Sequence, residues 1–246
     1  MTLIKSHNYL IPKLFLVYSI YLIWMLVPIP FSRGSLLAPT LTTLLLLGLN
    51  HFVTKQKINW SWKLSRKSFI AVSILTAILI LLTIPRQQPS FLIYLQSLDA
   101  GINEELLDRG IVLATLLILF KNSSNPKAQL LWPIILSSLI FGLSHFMNLS
   151  WQDPLSTLFQ VTTVSGTGFL LACIYLRTHN ILLAMYCHFF IDAYLGLISK
   201  FDSLDSGNSI VTIEMIPLES LSTLIHIIIE VGIGLFLIRK QLKSRG

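Results

Sequence analysis

The chain has 246 residues, of which 54% are hydrophobic and only 12% charged, and its formal net charge is +7. A soluble domain of this size carries about twice that charged share, so a mean hydropathy of +0.73 leaves no room for a separate soluble domain. The basic surplus sits in short stretches between apolar runs, which reads as a membrane-topology signal and excludes a nucleic-acid surface.

Apolar runs of spanning length recur at 9–29, 36–53, 68–85, 102–120, 128–148, 155–176, 180–199 and 217–238. They are continuous and lack period-2 alternation, which argues against a β-barrel. The expected fold is all-α, a polytopic transmembrane helical bundle of about eight spans in a single integral membrane domain over 1–246. The first run follows Lys5 and Lys13 but precedes Pro28, Phe31 and Arg33 with no small-residue cleavage pattern, so it is expected to be a retained helix. Pro28, Pro30, Pro85, Pro154 and Pro217 lie at or near run ends, where proline disrupts least, while Pro133 falls inside the fifth run. The half-apolar stretch 88–100 is either an interfacial helix or a backward extension of the fourth span. Cys173 and Cys187 both lie inside apolar runs and read as packing residues.

With the N-terminus inside, fourteen Lys and Arg fall on the inner side, among them Lys55, Lys57, Lys63, Arg66 and Lys67, against Arg33, Arg86 and Lys200 outside. That bias places both termini in the cytoplasm of a multi-pass cell-membrane protein. Short loops and small size point to a bacterial source.

A charge at mid-bilayer costs about 2.5–3.5 kcal/mol, so ionisable groups inside spans mark functional sites by default. Here they concentrate on three runs. Glu104, Glu105, Asp108 and Arg109 crowd the expected start of the fourth. Glu105 and Arg109 are i,i+4 and share a face, whereas Glu104 projects about 100° away. One glutamate is thus neutralised while the other stays available. The plainer reading is a helix start, with acids at the N-terminus and Asn103 as its cap. His145 closes the fifth run, and His188 and Asp192 form an i,i+4 pair on the seventh. His226 and Glu230 on the eighth form a rival pair, read as packing groups; His51 and His179 sit near the inner interface and His7 in the basic leader.

The stretches "EELLDR", "FGLSH" and "HFFID" fit E-E-x-x-x-R, F-x-x-x-H and H-x-x-x-N/D in that order. Order and spacing resemble the CAAX prenyl protease and bacteriocin-processing family, also called CPBP or Abi, over a core of about 103–194. The resemblance implies an intramembrane endopeptidase with a helical-bundle fold. It also implies that Glu104 activates the attacking water, that His145 positions it, and that His188 with Asp192 faces the developing oxyanion. Glu105 and Arg109 would be the supporting pair. The family has been described both as zinc-dependent and as metal-free. A zinc ion would draw on Glu104, His145 and His188. The chain has no H-E-x-x-H, so each ligand would need its own helix, and hydrolysis by glutamate-activated water without a cofactor is the preferred expectation. Family members commonly have asparagine where this chain has Asp192, and an orienting role toward His188 is preferred for it. The expected substrate is a membrane-associated peptide or protein within the lipid bilayer, cut in the outer half. The alternative is a non-catalytic bacteriocin self-immunity or partner-binding protein. A small proton-coupled transporter is disfavoured because no internal repeat is visible.

Overall fold

Eight apolar runs separated by polar, proline-marked breaks can satisfy their backbone groups in lipid only as helices. The computed structural model describes residues 9–26, 36–83, 91–202 and 211–244, and among these there is no strand. Lys5, His7, Pro28, Pro30, Phe31, Arg33, Pro85, Arg86 and Arg245 lie outside the described residues. Each expected span meets a helix. In chain order these are α1 (Leu10–Leu26), α2 (Leu37–Leu49, with a π-turn at Asn50–Thr54) and α3 (Arg66–Thr83). Next come α4 (Phe91–Glu105) and α5 (Ala128–Ser144, closed by a 3-10 turn at His145–Ser150). The last three are α6 (Pro154–Thr178), α7 (Ile181–Asp202) and α8 (Ile216–Lys243). Among the described residues, five helical stretches are long and apolar enough to cross a membrane, namely Leu37–Thr54, Arg66–Thr83, Ala128–Ser150, Pro154–Thr178 and Ile216–Lys243. Leu10–Leu26 and Ile181–Leu197 are apolar but shorter.

The fourth helix departs most from expectation. It does not begin near residue 102: from Phe91 on, the half-apolar stretch is already part of the helix and extends the span backwards, while 88–90 lie outside the described residues. From Glu105 it continues without a break through a π-helical stretch (Leu106–Leu113) into a final α-helical piece (Ala114–Phe120). The acidic pair is therefore internal to a long helix over 91–120, the whole of which is called α4 from here on, and Asn103 is no cap.

The chain divides into two compact units, Met1–Thr115 with His179–Asp202, and Leu116–Thr178 with Ser203–Gly246. In the first, α4 packs along α7, α3 packs on α7, and α2 packs on α4. The α4–α7 approach depends on Gly101. A Cβ there would lie 2.7 Å from the Met185 carbonyl oxygen and 3.1 Å from the Phe189 nitrogen, both backbone atoms that flank His188. Lacking that carbon, α4 brings Glu105, one turn on, against α7.

In the second unit, α6 lies between α5 and α8. Asp153 caps α6 by accepting hydrogen bonds from the Leu155 and Ser156 amides at 3.0 and 2.9 Å. Hydrogen bonds from the Ser156 side chain and backbone hold its exposed carboxyl below the usual range. On α8, Glu230 Oε1 accepts from Thr167 of α6 at 2.9 Å and lies 3.1 Å from His226 Nε2, so the rival pair ties α8 to α6. Cys173 is buried, Cys187 is half-buried, and neither is in a disulfide.

The glycine contact yields a prediction. Gly101→Ala should lower the thermal midpoint of the purified protein markedly, because backbone must move. Gly48→Ala, where no atom lies within 4 Å of the added carbon, should leave it unchanged or slightly raised.

Candidate active site

The first unit gathers Glu104, Glu105 and Arg109 of α4 with His188 and Asp192 of α7. At its centre is Glu105, whose side chain is fully buried. Its Oε2 lies 3.1 Å from Arg109 Nε, and its Oε1 lies 2.9 Å from His188 Nδ1. A carboxylate oxygen only accepts, so His188 donates through Nδ1–H. The opposite nitrogen then faces the other two acids, with Nε2 3.4 Å from Asp192 Oδ2 and 3.8 Å from Glu104 Oε2. The last distance is long for a direct bond and has room for a bridging group.

The two neighbouring glutamates differ in access. Glu105 and Arg109 are sealed in, at 0% and 1% exposure, while the Glu104 side chain is 27% exposed. Glu104 opens onto a cavity of about 310 Å³ walled by α1, α2 and α4, with Tyr21, Trp24, Thr42, Gln96, Asp99 and Asn103 among its lining. That volume lies at the lower end of the usual range for ligand pockets, about 300–1,000 Å³.

Several contributors escaped the sequence reading. Asn103 ties α4 to α2: its Nδ2 donates to the Pro39 carbonyl at 3.2 Å and its Oδ1 lies 2.7 Å from Thr43 Oγ1. Its Nδ2 also donates to Asp99 one turn back. Trp24 Nε1 donates to Thr42 Oγ1 at 2.9 Å, fixing α1 on α2 beside the same cavity. Tyr21 is buried on α1 within electrostatic reach of Glu104, Asp108 and Asp99. Asp108, quoted from the motif but given no role there, is 2% exposed, and its Oδ1 has no hydrogen-bond partner among the described residues. The sequence reading took Asn103 for a helix cap and did not see its tie to α2, and nothing in it pointed to Tyr21.

The π-helical stretch Leu106–Leu113 begins right after the acidic pair and is buried throughout. Such wide turns are frequent at functional sites. Here it carries Arg109 back onto Glu105.

His145 belongs to the second unit. It opens the 3-10 turn that ends α5, and its Nδ1 lies 3.0 Å from the Phe141 carbonyl oxygen. Carbonyl oxygen cannot donate, so the proton is assigned to Nδ1 and Nε2 is left as an acceptor. Its ring meets Phe141 edge-on at 5.3 Å between centroids. F-x-x-x-H is therefore a one-turn clamp on the imidazole. Among the described residues, no three of His, Cys, Asp and Glu are arranged to hold a metal ion.

Residues 85–194 match the family described as Rce1-like, type II CAAX prenyl endopeptidase. The matched segment covers 110 of 246 residues and runs from just before α4 into α7. It contains all three motifs, and this is the family that those motifs resemble. The Rce1-like family is one of proteases, hence hydrolases, and the apolar helices make this chain a multi-pass membrane protein. Comparison with curated proteins and with solved structures gave no match.

The buried ion pair sets a quantitative expectation. Arg109→Met strands a buried carboxylate and should destabilise the protein by about 3–5 kcal/mol. Combining it with Glu105→Leu should recover much of that loss, measured by denaturation in detergent.

Proposed function

We propose that the protein is an intramembrane endopeptidase that hydrolyses a peptide bond in a membrane-associated peptide or protein through water activated by Glu104. The observation that carries this reading is the unequal pair: Glu105 is locked by Arg109 and His188, while Glu104 beside it reaches an open cavity. A locked carboxylate cannot turn toward a substrate. An accessible one, on a polar-lined cavity set among apolar helices, is a competent base.

In the proposed reaction, water between Glu104 and the substrate carbonyl gives a proton to the Glu104 carboxylate as its oxygen bonds to the carbonyl carbon. The resulting oxyanion needs a donor. His188 is that donor through Nε2–H in its imidazolium form, which the Glu105 carboxylate at Nδ1 and the Asp192 and Glu104 carboxylates facing Nε2 favour, while Glu105 fixes the ring. A preorganised donor of this kind contributes about 2.7–4 kcal/mol. Glu104 then passes its proton to the departing amine, the C–N bond breaks, and base and ring return to their starting states. Asp192, 3.4 Å from Nε2, orients the ring when no substrate is present. His145 keeps the water-positioning role that its motif suggests, and its clamped ring with an acceptor Nε2 suits that role. No step needs a metal.

The substrate class follows from the setting: the cavity is bounded by apolar helices, so an extended membrane-associated peptide fits better than a soluble protein. The basic bias between spans supports cytoplasmic termini and a cavity mouth on the opposite side, in the outer half of the bilayer.

Two measurements test this reading. Purified protein with candidate membrane peptides should lose about 10²–10⁴-fold in rate on Glu104→Gln, with an unchanged melting profile. Asp192→Asn should keep substantial activity, and a chelator should leave the wild-type rate intact. Undiminished cleavage by Glu104→Gln would refute the assignment, and loss of cleavage with chelator would refute its metal-free part. For the membrane side, Gln96→Cys, at an exposed position of the cavity lining, should react with an impermeant thiol reagent from outside the cell in a variant lacking Cys173 and Cys187. Labelling from the cytoplasmic side alone would reverse the orientation.

A further inference from the structure

The connection between α2 and α3 carries features that hydrolysis does not use. Its frame is one buried asparagine. Asn50 Oδ1 accepts from the Gln56 amide at 2.9 Å and from Thr54 Oγ1 at 2.7 Å, and its Nδ2 donates to the Gln56 carbonyl at 2.9 Å. This bracket follows a π-turn and holds Lys55 at φ 55, in the left-handed region that lysine avoids. Strain of this kind persists only where the surroundings enforce it, and it clusters at functional sites. Lys55 lines a concavity of about 750 Å³ together with His51, Phe52, Gln56 and Trp60.

The surroundings are cationic and aromatic at once. Lys55, Lys57, Lys63, Arg66 and Lys67 are all exposed, and none is in an ion pair among the described residues. No acidic residue occurs anywhere in the chain before Asp99. Interleaved with these cations are Phe52 and Trp62, exposed at 77% and 89%, and the half-exposed Trp60. Exposed indoles beside an apolar span belong at headgroup level, and cations there attract anionic lipid.

We propose that this concavity binds the headgroup of an anionic phospholipid, with Lys55 on the phosphate and Trp60 and Phe52 against the glycerol and upper acyl region. Charge complementarity selects an anion, and the aromatic rim selects one attached to a bilayer lipid. The same connection also touches the helices of the candidate active site. Ile58 lies 3.2 Å from where a Cβ of Gly110 would be, next to Arg109, and Asn59 accepts a hydrogen bond from the Ile181 amide at 3.0 Å at the start of α7. A bound lipid thus sits on a connection that packs against the π-helical stretch beside Arg109 and against the start of α7.

The test is direct binding, independent of any peptidase assay. The full-length protein in neutral detergent is titrated with dioctanoyl phosphatidylglycerol, dioctanoyl phosphatidylcholine and inorganic phosphate, read by native mass spectrometry and thermal shift. Phosphatidylglycerol should bind saturably and at least about tenfold more tightly than phosphatidylcholine, and should raise the melting temperature. Lys55→Gly keeps the left-handed backbone at no steric cost and removes the ammonium, so it should fold as wild type and bind about fivefold more weakly. Lys127→Ala, at an exposed lysine elsewhere, should bind as wild type. Equal binding of the two lipids, or unaltered binding by Lys55→Gly, would overturn the proposal. So would displacement of phosphatidylglycerol by an equal concentration of phosphate, since that would make this a free-anion site.

Discussion

The organising constraint is a carboxylate buried among apolar helices. Glu105 has no access to solvent, and its two oxygens are taken by Arg109 from its own helix and His188 from another. Leaving either oxygen unpaired in such surroundings costs several kcal/mol. The requirement dictates geometry: α4 and α7 must lie close enough for a glutamate and a histidine to meet. Gly101 permits that approach, and the π-helical stretch returns Arg109 to the same carboxylate. The helices are held in register by a charge that cannot be left alone.

That arrangement also separates the roles of two identical side chains. Adjacent residues on a helix point about 100° apart, so fixing Glu105 inward turns Glu104 toward α1 and α2. There Asn103 anchors α4 to the Pro39–Thr43 turn of α2 and keeps the wall of the cavity in place. Environment, not residue type, makes one glutamate structural and leaves the other open to a cavity.

How much of this was legible depended on whether an interaction obeys the helical period. Glu105 with Arg109, His188 with Asp192, and His226 with Glu230 are four residues apart, and all three pairs meet in the structure. The eight apolar runs were legible for a different reason, their unbroken hydrophobic length. The bond between Glu105 and His188 spans 83 positions, and no local pattern encodes it. The start of α4 was obscured because Gln96, Ser97 and Asp99 dilute its apolar signal, which made Asn103 look like a cap. The π-helical stretch left no mark, since the same residues read equally well as α-helix. The acceptor nitrogen of His145 needed the Phe141 carbonyl in place, although the spacing put that carbonyl one turn away.

The unbroken helical run over 91–120 bears on how a polar cavity persists beside apolar helices. Thirty residues rise about 45 Å, against roughly 30 Å of hydrocarbon. With Lys121 at one polar boundary, about twenty residues exhaust the oily layer, and the opposite boundary falls near Gly101. Gln96 and Asp99 then stand among hydrated headgroups while Glu104 lies about one turn beneath them. The surplus length of this helix thus carries Gln96, Asp99 and Asn103 as a polar strip along the cavity onto which Glu104 opens.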